Sequence, residues 1–574
     1  MRALVVLAAL ALALTQAAAQ SVRGAVRDSA LHAPIAGAVV TALARDGRSL
    51  ARALTNEQGR FAIPSPAGGA QLRVVSIGYR PATISIATLA AETEPVIELS
   101  ALPTLLEPVS TGEDRRCPVR ADRERALGLW QQARTALLAS VVTSEMTSPT
   151  VEILKYQRTY VNDRRVLVDQ QVQRSVVTTS RPFVPARTPG EFARDGYMIN
   201  FGDQREFDAP DAQVLIDDSF TATHCFAIAG ADAGHSDALG LAFEPAPDRE
   251  SLVDVRGVLW IGRQPARLES LDFAYTGLPN GQAARASGGS MTFQTLANGA
   301  VFVDRWEIRG PGSTVTSNAA RSPASQHNLI KMAGRELRST STGGQVVSAE
   351  WNDGTRWAAK LARVAGRVVP NIARKQEPLR VWLLGTPDTT DADSTGAFAF
   401  ASVLPGSYRV GAGNWTLAAA GISQLVGPDS AEAADIAQPP VELRMALQEA
   451  TFRSLCHLSS RSALPSRILM VRVVNTDGWA VGRDSVYAMW PEPETHLLGI
   501  AIRHSGDFAD TTSRDGRIPI CDPPRNRPIR IRIGRSAEPD TSVVVQLPAE
   551  VPIGLLTIVD HALTRPLKPE GHSR

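Results

Sequence analysis

Short runs of alternating apolar and polar residues recur along most of the chain, and Gly, Pro and Asn separate them. Such alternation places one face of a strand in a core and the other toward solvent, while the separating residues favour turns. The first runs lie within residues 21–86, with apolar positions at Val26, Phe61, Ile63 and Leu72. The pattern predicts a mainly β protein that begins with a small antiparallel sandwich.

A second segment, residues 122–141, has the three- and four-residue spacing of a helix. Its apolar stripe is formed by Leu127, Trp130, Ala133, Leu137 and Val141. This spacing places the stripe on one helix face, and Gln132 lies off it. Strand-like runs follow, and between two of them stand Asn298 and Gly299, the dipeptide typical of a tight hairpin. We expect a curved antiparallel sheet or half-barrel over one helix, a pattern similar to that of periplasmic lipoprotein carriers.

Several positions of the first sandwich form a motif as well as a pattern. They are Gly24, Val26, Pro34, Ile35, Gly37, Ala38, Thr55, Gly59, Arg60, Phe61, Gly78 and Tyr79. In type and order they resemble the carboxypeptidase regulatory-like domain, a seven-stranded sandwich related to transthyretin and to starch-binding folds. Such domains accompany zinc carboxypeptidases, TonB-dependent receptors and surface proteins, and carry no catalytic residues themselves. The resemblance implies a scaffold or binding module of the bacterial cell envelope.

Parts of this motif recur twice toward the C terminus. The second copy includes residues 364–368, 393–400 and 404–410, and the third begins near Ile468 without the proline–isoleucine element. Residues 441–455, between the two copies, are predicted to form a helix.

The expected fold class is therefore mainly β, with sandwich modules flanking a curved antiparallel-sheet domain that carries one helix. In chain order we expect a signal peptide, 1–19; a carboxypeptidase regulatory-like sandwich, 20–101; a linker, 102–116; an α+β antiparallel-sheet domain, 117–345; a second sandwich-like module, 346–427; a helical connector, 428–465; a third sandwich-like module, 466–562; and a tail, 563–574.

The N terminus has the pattern of a secretory signal peptide. Arg2 is followed by an apolar run over residues 3–14 and by alanines at 17–19, so we expect the mature chain to start at Gln20. This run is shorter than the ~20 residues that span a bilayer, and no later run approaches that length. We expect an exported protein without transmembrane insertion, in the periplasm, at the outer-membrane periphery or outside the cell.

The four cysteines, Cys117, Cys225, Cys456 and Cys521, are even in number and include no CxxC pair. Export makes disulfides the expected state, and four cysteines allow three connectivities. The pairing Cys117–Cys225 and Cys456–Cys521 is favoured because each pair then lies within one expected domain. Zinc is a poorer alternative, because the cysteines lack the clustered spacing of a structural zinc site.

Candidate catalytic motifs are incomplete. None of the nine His begins an HxxE or HExxH motif, which argues against zinc carboxypeptidase activity. Residues 234–238 approach the G-x-S-x-G nucleophile elbow at Ser236, but a loop precedes them and Ala238 replaces the last glycine. This segment is predicted to be a surface loop.

Other polar clusters are also better explained by structure than by chemistry. Asp217, Asp218, Asp391 and Asp393 could serve glycoside hydrolysis or calcium binding, but their turn-rich surroundings favour capping and turn hydrogen bonds. The glycine-rich segment 287–290 precedes a strand, so it lacks the helix N-terminus that binds phosphate. We expect no cofactor and no metal site.

The function predicted from these observations is that of a non-enzymatic secreted or outer-membrane-associated binding or scaffold protein, with an envelope protein or a carbohydrate as its partner. The net charge of +2 gives no overall field to attract nucleic acid. One alternative is carbohydrate binding on exposed tryptophans. The candidates are Trp351, Trp357, Trp382, Trp415, Trp479 and Trp490, although core positions are commoner for this residue. The other is a hydrolase in residues 117–345, which a cleft with carboxylates at His224 or His235 would favour.

Overall fold

The fold is that of a computed structural model. It describes residues 21–64, 69–89, 95–102, 117, 122–146, 148–161, 166–201, 204–230, 232–278, 287–310, 313–316, 335–369, 378–426, 430–433, 441–476, 478–481, 484–491, 495–497, 500–502, 505–513, 516–533, 542–549 and 551–560. The expected signal peptide and C-terminal tail, and all but the first residue of the expected linker, lie outside the described residues. The chain divides into two compact units, Met1–Ile153, Val161–Arg165 and Ser175–Ala359 in the first, and Leu154–Tyr160, Val166–Arg174 and Lys360–Arg574 in the second.

The first unit begins with a two-sheet sandwich. Its elements are β1 (Ser21–Asp28), β2 (Val39–Ala44), β3 (Ser49–Leu54), β4 (Arg60–Pro64), β5 (Gly69–Val75), β6 (Ala82–Ser85), α1 (Ile86–Leu89) and β7 (Val96–Leu99). One sheet has the order β4-β1-β7 and the other β3-β2-β5-β6. The alternating positions Val26, Ile63 and Leu72 are fully buried between the sheets. The predicted sandwich is confirmed.

Thr55 shows why the motif contains a hydroxyl at this point. Its side chain is fully buried. The Oγ1 atom accepts the backbone N–H of Ala38 at 2.8 Å and donates to the carbonyl of Ile35 at 2.6 Å. One hydroxyl thereby satisfies two buried backbone groups of the turn that contains Gly37, whose φ is +70°.

The remainder of the first unit is a large antiparallel sheet with one long helix. The helices and strands are α2 (Arg123–Met146), β8 (Thr150–Val161), β9 (Val166–Thr178), α3 (Pro189–Asp195), β10 (Met198–Phe201), β11 (Gln204–Phe207), α4 (Ala212–Ile216), α5 (Asp218–Thr223), β12 (His224–Ile228), β13 (Ala238–Pro245), β14 (Val255–Arg263), β15 (Ala266–Tyr275), β16 (Gly288–Thr295), β17 (Val301–Arg309), β18 (Ser313–Thr316), β19 (Arg335–Glu350) and β20 (Arg356–Ala358). The sheet has 11 strands in the order β12-β13-β14-β15-β16-β17-β19-β8-β9, with β18 and β20 beside β19. The hairpin predicted at Asn298 and Gly299 joins β16 to β17.

The single predicted helix is accompanied by three short ones, α3 to α5, which the apolar pattern does not show. Capping explains two of them. The Asp211 side chain accepts the backbone N–H of Val214 at the start of α4. Asp217 does the same for Ser219 at the start of α5, which is the capping role expected for this residue.

Helix α2 is buried on more than its predicted stripe. Ala126, Leu129 and Val142 are fully buried in the same cluster as Trp130. Gln132, expected off the stripe, is only 7% exposed, and its Oε1 accepts the backbone N–H of Gly78 at 2.8 Å. Helix α2 is buried on several sides because the sheet covers one side of it and the N-terminal sandwich covers another.

The second unit contains a second sandwich. Its elements are β21 (Ala362–Val369), β22 (Leu379–Leu383), β23 (Thr389–Asp391), β24 (Ala397–Val403), β25 (Gly406–Asn414), α6 (Trp415–Ala419), β26 (Leu425–Val426), β27 (Ser430–Ala433), β28 (Val441–Met445) and α7 (Gln448–Leu455). The sheet orders are β24-β21-β28-β26 and β23-β22-β25-β27.

The expected boundaries of this module are wrong at both ends. The large sheet continues to β20, so the sandwich begins with β21 at Ala362 and not at residue 346. The helix expected over 441–455 is a strand up to Met445, because β28 pairs in parallel with β21 and buries Leu443 in the sandwich core. The expected helical connector thus contains the last strands of the second sandwich, and α7 begins only at Gln448.

A third sandwich follows. Its strands are β29 (Ile468–Asn475), β30 (Ser485–Pro491), β31 (Thr495–Leu497), β32 (Ile500–Ile502), β33 (Ser505–Thr511), β34 (Arg517–Cys521), β35 (Pro528–Ile533), β36 (Ser542–Gln546) and β37 (Ile553–Asp560). Its two main sheets are β34-β29-β37 and β33-β30-β35-β36, and β31 pairs with β32 in a separate two-stranded sheet. In all three sandwiches the first strand pairs in parallel with the last, as β1 with β7, β21 with β28 and β29 with β37.

The far ends of β8 and β9 belong to the second unit and contact both of its sandwiches. The backbone N–H of Val172 donates to Gly385 O at 2.5 Å, in the turn that follows β22. The Gln171 side chain accepts the N–H of Ala480 at 2.8 Å and donates to its carbonyl at 3.2 Å, beside β29. This arm therefore fixes the second and third sandwiches to a common support.

Candidate functional site: a cavity beside the N-terminal sandwich

At one contact between the N-terminal sandwich and the rest of the first unit, the backbones of two glycine turns lie directly against each other. Gly37 in its motif turn and Gly299 in the β16–β17 turn both have positive φ, +70° and +80°. A Cβ on Gly299 would lie 2.1 Å from both the Cα and the backbone N of Gly37. An ion pair between Arg52 and Glu145, 3.2 Å apart, adds a contact at the end of α2. The close approach requires glycine in both turns.

Gly299→Ala should destabilise the first unit more than Gly354→Ala. Both glycines have similar φ, +80° and +86°, so each variant carries a backbone cost of about 1–2 kcal/mol. At Gly354 a Cβ meets nothing within 4 Å. At Gly299 the clash with Gly37 adds about 1–3 kcal/mol, typical of overpacking. Urea unfolding of both variants measures the difference, and equal losses would contradict the backbone contact.

A cavity of about 680 Å³ lies beside this contact. Its walls come from three parts of the unit. The sandwich contributes the turns at Ile35 and Gly78, and α2 contributes Thr135, Ala136 and Ala139. The large sheet contributes the β14–β15 and β16–β17 turns. The cavity therefore exists only because the sandwich, the helix and the sheet meet.

The lining of the cavity is about as polar as it is apolar. Charged groups come from the β14–β15 turn, where Arg263 and Arg267 both line the cavity. Arg267 donates to Glu269 at 3.0 Å. The backbone N–H of Arg263 donates to Asp237 O at 3.2 Å, which anchors the turn. Sequence patterns gave no indication of this site, because its residues lie far apart in the chain.

His224, one of the two candidate bases, is a packing residue. Its side chain is 1% exposed, and its ring stacks on Phe220 at a centroid distance of 4.0 Å. Its Nε2 lies 3.4 Å from Asp254 Oδ1, and Arg249 donates to the other oxygen of Asp254 at 2.5 Å. The network is closed to solvent and leaves no space for a substrate.

His235 has the neighbours of a catalytic triad. Its Nε2 is 3.3 Å from Ser270 Oγ, and its Nδ1 is 3.6 Å from Asp232 Oδ2. The ring also stacks flat on Trp260, at 4.1 Å and 5°. The Trp260 indole N–H donates to Asp272 at 3.1 Å.

The surroundings of Ser270 do not suit a nucleophile. Ser270 is 8% exposed and lies inside β15, where Trp260 and Thr292 are its partners on the two flanking strands. Its backbone groups belong to the sheet ladder and are not arranged as an oxyanion hole. His235 instead fastens the β12–β13 loop to the sheet, and Ser236 is exposed in that loop.

The remaining candidate carboxylates have structural partners. Asp218 forms an exposed ion pair with Arg134, and Asp391 pairs with Arg380 through both carboxylate oxygens at 3.0 and 3.3 Å. Hydrogen bonds from the Thr395 side chain and from the N–H groups of Thr395 and Ala397 lower the pKa of Asp393. No group of three or more metal-ligating side chains occurs in the described part of the chain.

The tryptophans do not form a flat sugar-stacking face among the described residues. Trp351 and Trp382 are buried, whereas Trp357, Trp479 and Trp490 are half-buried. Trp415 is 50% exposed, and the guanidinium carbon of Arg380 lies 3.3 Å from its ring centroid. That cation covers the ring face a sugar would need.

The structure contains two disulfides, Cys117–Cys225 and Cys456–Cys521, with Cα atoms 5.6 and 6.1 Å apart. These are the pairs favoured from their positions in the sequence. The first connects the segment before α2 to β12, and the second connects the end of α7 to β34.

Residues 21–100 match the family model of the carboxypeptidase regulatory-like domain. The resemblance drawn from the motif of the first sandwich is thereby confirmed, and the chain contains a domain of this family. No match was found among the curated proteins. None of the helices in the described ranges is long and apolar enough to cross a membrane.

Solved structures with some similarity include three bacterial proteins. They are a streptococcal ancillary pilin, 8% identical over 40% of this chain and 78% of that one, with a TM-score of 0.12; BcpA, the major pilin subunit of Bacillus cereus, 8% identical over 94% and 99%, with a TM-score of 0.12; and the Bacillus anthracis TIE protein, 8% identical over 63% of each chain, with a TM-score of 0.11. At these TM-scores the likeness carries no argument about this protein.

Proposed function

We propose that this protein is an exported, non-enzymatic binding and scaffold protein of the bacterial envelope, and that its regulatory-like domain forms one wall of a ligand site. The observation that carries the proposal is the cavity of about 680 Å³ shared by the sandwich, α2 and the large sheet. Small-molecule sites usually have volumes of about 300–1,000 Å³, a range that includes this cavity.

The side chains around the cavity support binding and not proton transfer. Its ionisable lining groups include two arginines, whose guanidinium groups stay protonated in proteins. The histidines that were candidates for catalysis are engaged elsewhere, His224 in a buried ion network and His235 against Trp260. These contacts favour binding over the alternative of a hydrolase in this region.

The signal-peptide pattern and the two disulfides support export, because disulfides persist in oxidising compartments. The second and third sandwiches would serve the scaffold part of the role. Their common attachment to the β8–β9 arm through Val172 and Gln171 favours a rigid surface for an envelope partner.

Filling part of the cavity should weaken ligand binding. Thr135 lines the cavity from α2, so Thr135→Trp should weaken saturable binding of the neutral dye N-phenyl-1-naphthylamine by about tenfold, since the indole would occupy part of the cavity and compete with the dye for it. Gln131→Trp, on an exposed position of the same helix, is the matched control and should bind like wild type. Dye fluorescence measures both, and thermal unfolding checks that both variants fold.

An absence of saturable binding to the wild type, or equal affinities of the two variants, would refute the proposed site. Thr135→Met provides a smaller substitution if the Trp variant does not fold. It should weaken binding in the same direction and by less.

A further inference from the structure

The charged side chains that line the cavity are all positive. Arg263 and Arg267 line it, whereas no Asp or Glu is among the described residues of its wall. We propose that its ligand is a small organic anion, with a carboxylate or phosphate group bound at Arg263 and an apolar body in the rest of the cavity. This inference rests on the proposed function and specifies the chemistry of the same site.

The two arginines are not equivalent. Arg267 is paired with Glu269, at 3.0 Å, so the charge of this guanidinium is largely balanced. Arg263 has no ion pair with a carboxylate of any described residue. The wall thus carries one unbalanced positive charge, which suits a ligand with a single negative charge.

Backbone contacts hold the main chain of Arg263 in place. Its backbone N–H donates to Asp237 O at 3.2 Å, and Arg263 pairs with Ala266 across the β14–β15 turn. Ala266 in turn lies next to the sandwich, because its Cβ would be 3.2 Å from a Cβ on Gly78. Arg263 therefore belongs to a turn that lies where the sheet meets the regulatory-like domain, and its side chain is exposed. An anion bound there would lie close to both.

Other residues of the lining are apolar. Ile35, Ile77, Ala136, Leu239, Leu268 and Val301 contribute to the lining. Thr135 is the neighbouring hydroxyl on α2, and it already donates to Gln131 O at 2.9 Å. Burial of an aliphatic body against these side chains would add affinity that an inorganic anion cannot gain. The combination selects an amphiphilic anion over phosphate or sulfate.

Octanoate and 1-octanol test the charge requirement, because they share the apolar body and differ in the anionic group. Calorimetric titration should show octanoate binding about two- to fivefold more tightly than octanol, the range expected for an ion pair with an exposed guanidinium. Arg263→Gln should remove this difference. Arg256→Gln is the matched control, since Arg256 is an exposed arginine of the same strand that does not line the cavity.

The outcomes separate the two proposals. If octanoate and octanol bind equally, and Thr135→Trp weakens both, the binding function stands and the anion inference fails. If neither binds saturably and the neutral dye also does not bind, both fail. If Arg263→Gln and Arg256→Gln lose octanoate affinity equally, Arg263 is not the anion site.

Vesicles distinguish a free anion from a lipid headgroup. Flotation with phosphatidylglycerol vesicles that is lost in Arg263→Gln and kept in Arg256→Gln would assign the anion to a lipid. Octanoate binding without flotation would assign a free amphiphilic anion. Thermal unfolding confirms that the Gln variants remain folded.

Discussion

Arg249→Met should destabilise the first unit by about 3–5 kcal/mol, the range measured when one partner of a buried ion pair is removed. Asp254 is fully buried and accepts from Arg249 at 2.5 Å. Arg249 also donates to the carbonyls of Phe192 and Ala193. Its removal leaves a buried carboxylate, the buried carbonyl of Phe192 and the half-buried carbonyl of Ala193 with fewer partners.

The matched control is Arg134→Met, which removes an exposed ion pair from the same unit. Arg134 and Asp218 are 3.0 Å apart, with side chains 43% and 92% exposed. Exposed pairs contribute about 0–1 kcal/mol, so this variant should remain close to wild type. Urea unfolding measures both. Similar losses in the two variants would show that the Asp254 network is not what stabilises this end of the sheet.

The effect of Arg249→Met should also depend on pH. Burial by itself raises the pKa of Asp254, but hydrogen bonds and charges from His224 and Arg249 outweigh it and hold the pKa below its ordinary value. A carboxyl whose pKa is lowered by folding contributes stability above its unfolded-state pKa, near 4, and this contribution is lost as the pH falls through the folded-state pKa. The difference from wild type should therefore be largest near neutral pH and shrink below about pH 4. A constant difference between about pH 3 and 7 would contradict this assignment.

Loss of either disulfide should have an effect of similar size. The bonds join cysteines 108 and 65 residues apart, and in the chain-entropy model loops of these lengths contribute about 4–5 kcal/mol, with smaller measured values common. The double variant Cys117→Ser/Cys225→Ser should expose protease sites in the first unit, and Cys456→Ser/Cys521→Ser should expose them in the second, because each bond lies within one unit.

Limited proteolysis with mapped cleavage sites separates the two effects, and unfolding with and without reductant gives their size. In each double variant, a reductant should lower the stability only through the one disulfide that remains. Non-reducing peptide mapping tests the pairing directly. A peptide joining Cys117 to Cys456 or Cys521 would overturn the assignment of one disulfide to each unit.

Local patterns in the chain were enough for much of the architecture. Alternation and turn residues predicted the first sandwich, and Asn298 with Gly299 predicted the β16–β17 hairpin. The motif around Gly37 and Thr55 identified the regulatory-like domain, now matched over residues 21–100. These features follow from the sequence because each depends on residues close in the chain, whose spacing fixes their face and turn type.

Other features depended on partners distant in the chain. Residues 441–445 form a strand because β21 offers them a parallel partner, although the same residues suit a helix. Gln132 is buried because a sandwich packs on its side of α2, and its side-chain oxygen accepts the backbone N–H of Gly78 in that sandwich.

The sequence by itself determined the fold class, the first sandwich with its family and the placement of α2, because periodicity and turn chemistry are local properties. Only the tertiary structure decided the candidate site. Ile35, Thr135 and Arg263 are separated by about a hundred residues or more along the chain, and no local pattern indicates that they line the same cavity. Their meeting depends on the contact between Gly37 and Gly299, where the absence of two side chains lets two backbones approach.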